Sequence, residues 1–338
     1  MVISLILIFM LVLILPLVVK KIEQNLEIFL FLTGIVTALI SGVLEGSLFI
    51  KAAVDPINIS LAVLGAGLLF KWFHAPLTKG IVGLSQLIPY RLFIASTVIV
   101  LGIISSLITA IIAALVLVLI VTSLQLHRKS MVRLVVISCF SIGMGAALTP
   151  LGEPLSTIAI SKLDEDFFFL LDLLGSEIIF GIVMLGGLAS VLIKKSKPIE
   201  NLENKKKNSE NYEEILLRAL KIYFFVMGLT FLGSGFEPLI NKYFIGLNPM
   251  SLYWLNMISA VLDNATLTAA EISSVMNQMT IKAILLGLLV SGGMLIPGNI
   301  PNIIAAGKLQ ITSKEWAVFA FPLGLFTMII YFIILFFV

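Results

Sequence analysis

The stretch Ser259-Ala-Val-Leu-Asp-Asn-Ala-Thr-Leu-Thr-Ala-Ala270 is almost entirely small or apolar, yet Asp263 and Asn264 lie at its centre. A carboxylate at membrane depth is unfavourable by at least about 2.5–3.5 kcal/mol on insertion scales. An acid in that position therefore needs a partner, a water-filled cavity or a function. The small residues around it let helix backbones approach closely. The stretch predicts a polar site inside a bundle of membrane helices.

The rest of the chain has the composition of a membrane protein. Of its 338 residues, 59% are hydrophobic and only 12% are charged, and the mean hydropathy is +1.14. Repeated apolar runs of membrane-spanning length predict an all-α polytopic membrane protein surrounded by lipid. The only cysteine is Cys139, which excludes a disulfide framework and a cysteine-based metal site. The net charge of +3 is spread over loops, so we expect no nucleic-acid partner.

Two proline-rich segments interrupt apolar runs: Thr149-Pro-Leu-Gly-Glu-Pro154 and Pro297-Gly-Asn-Ile-Pro301. Proline stops a continuous helix, and irregular backbone at membrane depth is tolerated only where protein or a cavity covers it. We therefore expect two discontinuous transmembrane helices, over residues 132–161 and 280–308. In the second, the helix is expected to run to Ile296 before the break.

Residues 92–126 carry no charge. As one helix they would extend about 52 Å, against a hydrocarbon core of about 30 Å. They must form either two full spans or a re-entrant hairpin. A second hairpin is predicted over residues 250–277, around Asp263.

The two halves of the chain resemble each other. Pro150 and Pro154 align with Pro297 and Pro301, and the Ser105–Thr109 interval aligns with the Ser259–Asp263 interval. Several matches in one order indicate an internal repeat, which decides for the hairpin over two spans. A unit containing a hairpin crosses the membrane three times, so the second copy must be inverted. Inverted repeats with discontinuous helices are typical of secondary transporters.

These elements predict the organisation of the whole chain. Two N-terminal transmembrane helices occupy residues 1–56 and end in a turn at Asp55-Pro56. A first repeat (57–193), a cytoplasmic linker (194–214) and a second repeat (215–338) follow. Interfacial helices are expected within both repeats, over 71–89 and 236–247.

Charge supports an arrangement with both termini outside the cytoplasmic membrane. Of the 22 Lys and Arg residues, all but Lys51, Lys162, Lys242 and Lys282 then fall on the inside. Cytoplasmic segments collect positive charge in this way.

The candidate cation- and proton-binding residues share oxygen-bearing side chains and lie at the predicted breaks and hairpin tips. They are Asp263, Asn264, Glu153, Thr149, Thr157, Ser156, Thr266, Asn299 and Asn302, with Glu271, Thr109 and Ser105 as additional candidates. Carboxylates, hydroxyls and carbonyls freed at helix breaks suit a small hard cation. We expect Na⁺ at Asp263, Asn264 and Glu153, with no resident cofactor. No Lys or Arg lies in either break or tip, which favours a cation over an anion.

Structural roles are also open for several of these residues. Asp263 could anchor its hairpin by hydrogen bonds, and Asn299 and Asn302 could cap the half-helix that follows them. Glu271 could face a cavity or be solvated near the surface. Glu177 and Lys282 are expected near the membrane interface, with Lys282 reaching the outer surface.

Three motifs resemble those of NhaD-type sodium/proton antiporters of the ion transporter superfamily. They are Gly145-Ala-Ala-Leu-Thr-Pro-Leu-Gly-Glu-Pro154 with Ser156-Thr157, Ser259-Ala-Val-Leu-Asp-Asn264, and Ser291-Gly-Gly-Met-Leu-Ile-Pro-Gly298. The whole sequence is also similar to a small prokaryotic family of predicted cation transporters, which is also classed as a domain of unknown function.

The resemblance implies an inverted-repeat transporter, commonly a homodimer, that moves its substrate by an elevator motion. It places Asp263 and Asn264 on the antiporters' Asp-Asn pair and Glu153 where they hold an aspartate. The first hairpin departs from the pattern, with Thr109-Ala110 in place of an acidic or Asn pair. Pro301-Asn302 resembles the anion-carrying branches.

The sequence thus predicts a secondary active transporter that exchanges Na⁺ or Li⁺ for H⁺. In this mechanism protons displace the cation by neutralising the same carboxylates. A Na⁺-coupled carrier of a small anion, such as a dicarboxylate, citrate or arsenite, is the alternative. An intramembrane enzyme is not expected, because no second aspartate lies in a span to form a catalytic pair.

Overall fold

The computed structural model describes residues 2–23, 25–124, 126–194, 212–243, 246–262, 264–273 and 275–337. Within these ranges every regular element is a helix, which confirms the all-α prediction. The α-helices are α1 (Val2–Val18), α2 (Lys20–Glu23), α3 (Leu26–Ser41), α4 (Gly46–Leu87), α5 (Tyr90–Ile108), α6 (Ala110–Ser123), α7 (Arg128–Ala146), α8 (Pro154–Leu163), α9 (Phe169–Leu192), α10 (Tyr212–Tyr243), α11 (Pro249–Leu255), α12 (Asn264–Glu271), α13 (Gln278–Gly292), α14 (Ile300–Leu309) and α15 (Ser313–Phe337). Two 3₁₀ segments, Asn256–Ala260 and Ile296–Gly298, lie in the second half.

Several helices have the length and composition needed to cross a membrane. Five qualify among the described residues: α5, α7, α9, residues 212–240 of α10, and α15. The shorter helices α1, α3, α6 and α13 are also apolar. Apolar helices of about 20 residues match the thickness of the hydrocarbon core. The fold is therefore that of a polytopic α-helical membrane protein.

The helix α4 corrects the predicted layout of the N-terminal third. It runs without interruption from Gly46 to Leu87, so the predicted turn at Asp55-Pro56 is wrong. The interfacial helix predicted over 71–89 is instead the end of this same helix. At 1.5 Å per residue α4 is about 63 Å long, roughly twice the thickness of the hydrocarbon core.

A second correction concerns α10. This helix continues to Tyr243, through most of the interfacial segment predicted at 236–247. It begins at Tyr212, so residues 212–214, predicted as the end of the linker, form its first turn. The remainder of the predicted linker, residues 195–211, lies outside the described residues.

The helices α3 and α10 pack at backbone distance through glycine. A Cβ atom added to Gly228 would lie 2.6 Å from the Phe31 nitrogen, and one added to Gly34 would overlap the Gly228 carbonyl. Small residues permit this approach between membrane helices. An ion pair of 2.6 Å between Lys221 and Glu27 joins the same two helices.

The long helices α4 and α10 run antiparallel. The Tyr223 hydroxyl donates to the Ala53 carbonyl (2.8 Å), and the Lys71 ammonium lies 3.5 Å from the centre of the Tyr212 ring. Residue numbers therefore rise along α4 as they fall along α10. With α3, these helices form a framework on which α6 and α12 pack.

The helices α5–α9 contain the first predicted break. The chain leaves α5 at Thr109, whose φ of 73° is in the left-handed half of the Ramachandran plot, and enters α6 at once. The next helix, α7, ends at Ala146, and α8 begins at Pro154. The chain is thus not α-helical between Ala146 and Pro154, where the first break was predicted.

The helices α11–α15 follow the same order. The helix α11 and the 3₁₀ segment after it precede α12, and α13 is separated from α14 by a non-α-helical segment. The chain is thus not α-helical between Gly292 and Ile300, where the second break was predicted. The first part ends at Gly292, however, and not at Ile296 as predicted.

The last helix, α15, packs against helices of the first set, α5–α9, and of the second set, α11–α14. Buried polar side chains form hydrogen bonds across these contacts. The Trp316 indole donates to the Gly293 carbonyl (3.1 Å) at the second break. The Tyr331 hydroxyl donates to the Glu177 carbonyl of α9 (2.7 Å). The Met328 carbonyl accepts from the Tyr253 hydroxyl of α11 (2.7 Å). Buried tyrosine and tryptophan usually find such partners.

Candidate functional site

The two helix breaks have matching backbone geometry. The helix α7 is capped by Ala147, whose N–H donates back into the last turn, and Gly293 caps α13 in the same way. The helices α8 and α14 both begin after an extended residue, Glu153 (φ −154°) and Asn299 (φ −154°). Gly293 lies as far along the sequence from Ala147 as Asn299 lies from Glu153. The two breaks are therefore built alike, although their side chains differ.

At each break, a polar side chain donates a hydrogen bond to a backbone carbonyl that is unpaired at the end of the first half-helix. In the first break the Ser156 hydroxyl donates to the Ala147 carbonyl (3.0 Å). In the second, the Asn302 amide donates to the carbonyls of Gly292 (2.8 Å) and Leu295 (3.0 Å). Carbonyls left unpaired in a buried region are unfavourable. These side chains therefore stabilise the unwound backbone.

A serine in each predicted hairpin binds the neighbouring broken helix. The Ser105 hydroxyl donates to the carbonyls of Gly102 (2.6 Å) and Ile142 (3.0 Å). The Ser259 hydroxyl contacts the Leu288 carbonyl (3.2 Å). Gly145 allows Ser105 and the α5 backbone to approach α7, because a Cβ atom at Gly145 would overlap the Gly102 carbonyl. Ser105 was predicted as a packing residue or an additional ligand, and it packs the hairpin.

Asn264 lies against the second break. A Cβ atom at Gly292 would be 2.7 Å from Nδ2 and 2.9 Å from Oδ1 of Asn264, so only glycine leaves room for this amide. The Ser259 hydroxyl donates to Asn264 Oδ1. The Gly298 carbonyl oxygen is 3.0 Å from the same Cβ position. Asn264, Ser259 and Asn302 thus meet around Gly292, which brings the motif Ser259–Asn264 against the motif Ser291–Gly298.

Two polar atoms of this cluster have no hydrogen-bond partner among the described residues. They are Nδ2 of Asn264 and Oδ1 of Asn302, both in side chains that are at most 4% exposed. Buried polar atoms are normally paired. The oxygen and nitrogen atoms of an asparagine amide are assigned only from their surroundings. If they are exchanged in Asn264, the cluster presents two unpaired oxygens, one from Asn264 and one from Asn302. The cluster therefore has capacity to bind a polar ligand.

Asp263 lies outside the described residues, as does the side chain of Thr266. The Na⁺ site at Asp263, Asn264 and Glu153 therefore stays a prediction. The chain neighbours of Asp263, Leu262 and Asn264, are both buried.

Glu153 is buried at the first break. It is 8% exposed and immediately precedes α8, which packs against α12, the helix that begins at Asn264. The first break thus contributes a carboxylate and the second an amide, Asn299, at the corresponding position.

The predicted hydroxyl ligands take part in local hydrogen bonds. Thr149 donates to the Ser106 carbonyl (2.5 Å), and Thr157 donates to the Pro150 carbonyl (2.8 Å). The Thr109 hydroxyl accepts from the Ile112 N–H (3.4 Å) at the start of α6. A hydroxyl that donates keeps its lone pairs. The Thr149 hydroxyl also accepts from the Leu151 N–H (3.3 Å), which leaves it one lone pair, while Thr157 keeps both. Thr109 acts as a helix cap.

Asn299 does not cap α14 through its side chain, which corrects the capping interpretation for this residue. Its amide lies instead against α7, with Nδ2 2.5 Å from where a Cβ of Gly143 would be. Asn302 likewise binds the preceding half-helix and not the one it belongs to.

Glu271 is 5% exposed, which decides between the two predicted environments in favour of the interior. The Asn256 amide interacts with its carboxylate. Asn256 was not predicted as a site residue. Its position, an amide within the apolar segment that precedes Asp263, could have indicated it.

The chain matches a known protein family over almost its whole length. Residues 2–338 match the family described as "Protein of unknown function (DUF1646)". The chain belongs to the DUF1646 family. A comparison with curated proteins finds no match. The resemblance of this DUF1646 chain to NhaD-type antiporters therefore stays a prediction. A function must be inferred from the polar residues at its helix breaks.

Proposed function

We propose that the protein is a secondary active transporter that exchanges Na⁺ or Li⁺ for H⁺ across the cytoplasmic membrane. One observation carries the proposal. Buried amide and hydroxyl groups of Asn264, Ser259 and Asn302 converge on a helix break inside an apolar helical protein. Polar groups at membrane depth mark substrate and ion pathways, and discontinuous helices hold substrates in transporters.

An inverted repeat accounts for the contacts between the two sets of helices. Arg128, at the start of α7, pairs with Glu315, at the start of α15 (2.6 Å). Lys282, near the start of α13, pairs with Glu177 in the first half of α9 (2.5 Å). Each broken helix is thus tied near its start to the last helix of the other set. The antiparallel pairing of α4 with α10 supports the same two-fold relation.

The hairpin arrangement is proposed on similar grounds. The second arm of the first predicted hairpin, α6, packs on α14, and the second arm of the other, α12, packs on α8. In both sets, the second arm of the proposed hairpin thus contacts a broken helix of the other set, in addition to the broken helix of its own set. This exchange is what a two-fold axis through the membrane centre would produce.

The chemistry of the site favours a cation. The converging groups at the second break are amides, a hydroxyl and backbone carbonyls, and a small hard cation prefers such oxygen ligands. The amide protons of Asn302 already bind carbonyls, so among the three converging side chains only the Asn264 amide has an unpaired donor for an anion. The anion carrier therefore has less support than the cation exchanger.

In the proposed mechanism Asp263 and Glu153 ligate the cation together with Asn264, Thr149, Thr157 and freed carbonyls. A proton displaces the cation by neutralising the carboxylates. The hairpins and broken helices move as a body against the framework of α3, α4 and α10. A homodimer, with both termini outside, would hold that framework fixed in the bilayer.

Purified protein in liposomes tests the proposal. An imposed Na⁺ gradient should drive proton movement, and Asp263→Asn should abolish it by removing the ionisable ligand. Asp172→Asn is the matched control, because Asp172 is exposed in the first turn of α9. Proton movement that survives in Asp263→Asn would refute the mechanism. Na⁺-dependent uptake of citrate or arsenite without proton exchange would establish the anion carrier instead.

A further inference from the structure

Glu271 is the last residue of α12, and it forms no ion pair with the described residues. Its side chain is 5% exposed. Neither carboxylate oxygen forms a hydrogen bond with the described residues, although the Asn256 amide interacts with the group. The residue lies eight positions after Asp263 in the sequence. The cation site described above does not use it.

The charged side chains described on the helices that pack against α12 form no ion pair with Glu271. This helix packs against α8, α10 and α13. Lys162 of α8 donates to the Ala269 and Ile272 carbonyls at the end of α12. Lys282 of α13 pairs with Glu177, and Glu237 of α10 is exposed. Among the described residues, no ion pair therefore balances a charge on Glu271.

An ionised carboxylate in this position would be strongly disfavoured. Removing a carboxylate from water without pairing it is unfavourable by several kcal/mol. The neutral acid avoids that penalty and also supplies an O–H donor. Asn256 offers an acceptor, because its Oδ1 atom is buried and has no hydrogen-bond partner among the described residues. Its Nδ2 is directed to the Ile284 carbonyl (3.4 Å).

We propose that Glu271, held against Asn256, is protonated in this conformation and carries one of the exchanged protons at a site separate from the cation ligands. The inference rests on the proposed exchange function and specifies where an additional proton is bound. The proton enters or leaves when movement of α12 exposes Glu271 to water. Cation and proton are then coupled through the position of the hairpin in addition to direct competition.

The amide variant Glu271→Gln mimics the protonated acid and separates two activities. Exchange of Na⁺ for Na⁺ across liposomes should be retained, because the cation site is intact. The number of protons moved for each Na⁺ should fall, because only the protons that compete with the cation at Asp263 and Glu153 remain. Glu45→Gln is the matched control, since Glu45 is exposed, and it should keep both activities.

Infrared difference spectroscopy of the purified protein provides a readout that does not depend on transport. In saturating Na⁺, which keeps the carboxylates of the proposed cation site ionised, the carbonyl stretch of a protonated carboxyl group should be present in the wild type and in Glu45→Gln, and absent in Glu271→Gln. Its persistence in Glu271→Gln would overturn the assignment of the proton to this residue. If Glu271→Gln does not fold, Glu271→Asp should shift the pH midpoint of proton movement, and an unchanged midpoint would overturn the inference.

The transport results distinguish the inference from the proposed function. Wild-type exchange together with unaltered proton movement in Glu271→Gln would refute the role of Glu271 and leave the antiporter standing. A wild type that moves no protons with any cation would remove the antiporter, and the infrared band alone would then decide whether Glu271 is protonated.

Discussion

Replacing Asn302 with alanine should weaken the second helix break by an amount that follows from its hydrogen bonds. The side chain is fully buried and donates to the Gly292 and Leu295 carbonyls at 2.8 and 3.0 Å. A side-chain hydrogen bond in a membrane protein contributes about 0.6 kcal/mol on average and about 1.7 kcal/mol at most. Two such bonds give an expected loss of roughly 1.2–3.4 kcal/mol in the free energy of unfolding.

Thermal unfolding in detergent measures this loss. An unfolding entropy of about 2.1 cal/mol/K per residue over 338 residues corresponds to roughly 0.7 kcal/mol/K. The melting temperature of Asn302→Ala should therefore fall by about 2–5 °C.

Ser156→Ala is the matched comparison for Asn302→Ala. It removes the corresponding side chain at the first break, which makes a single bond to the Ala147 carbonyl. Its destabilisation should be about half as large. Equal losses in the two variants, or no loss in Asn302→Ala, would refute the account of how the breaks are held.

Three further changes test the packing of the protein by the same measurement. Gly145→Ala should lower stability by about 1–3 kcal/mol, because the methyl group meets the α5 backbone, whereas Gly187→Ala, with open space around it, should not. Lys282→Ala should lower stability by about 1–3 kcal/mol by leaving a partly buried carboxylate unpaired, and adding Glu177→Ala should recover part of the loss; no recovery would argue against the ion pair. Gln310→Gly should raise stability by about 0.5–1 kcal/mol, since relief of the left-handed conformation (φ 50°) outweighs the added chain entropy; a lower melting temperature would contradict this.

Local chemistry made the helix breaks predictable. At each break two prolines with a glycine between them lie within five residues, Pro150–Pro154 and Pro297–Pro301. Each proline removes a backbone donor and clashes with the preceding turn, so the combination disfavours a continuous helix far more than a single proline does. The length of α4 was not predictable in this way. Pro56 and Pro76 lie inside it, because packing against α6 and α10 overrides the local tendency to turn.

The candidate site was predicted in part. Asn264, Asn302 and Glu153 were recognised because polar groups among apolar residues stand out in a sequence, and all three are buried. The role of Gly292 was not recognised, because it consists of the space that glycine leaves for Asn264. Asn256 was missed for a similar reason, since its relation to Glu271 depends on how the chain folds back between them.

Composition and proline positions alone therefore determine that this is a helical membrane protein with two interrupted helices, because hydrophobicity and the missing proline donor act within a few residues. Only the tertiary structure decides which polar groups meet. The partners of Asn264, Asn302 and Glu271 come from segments distant in sequence or folded back on themselves. Their approach depends on the glycines that let those segments touch, and no local pattern specifies which backbones will come together.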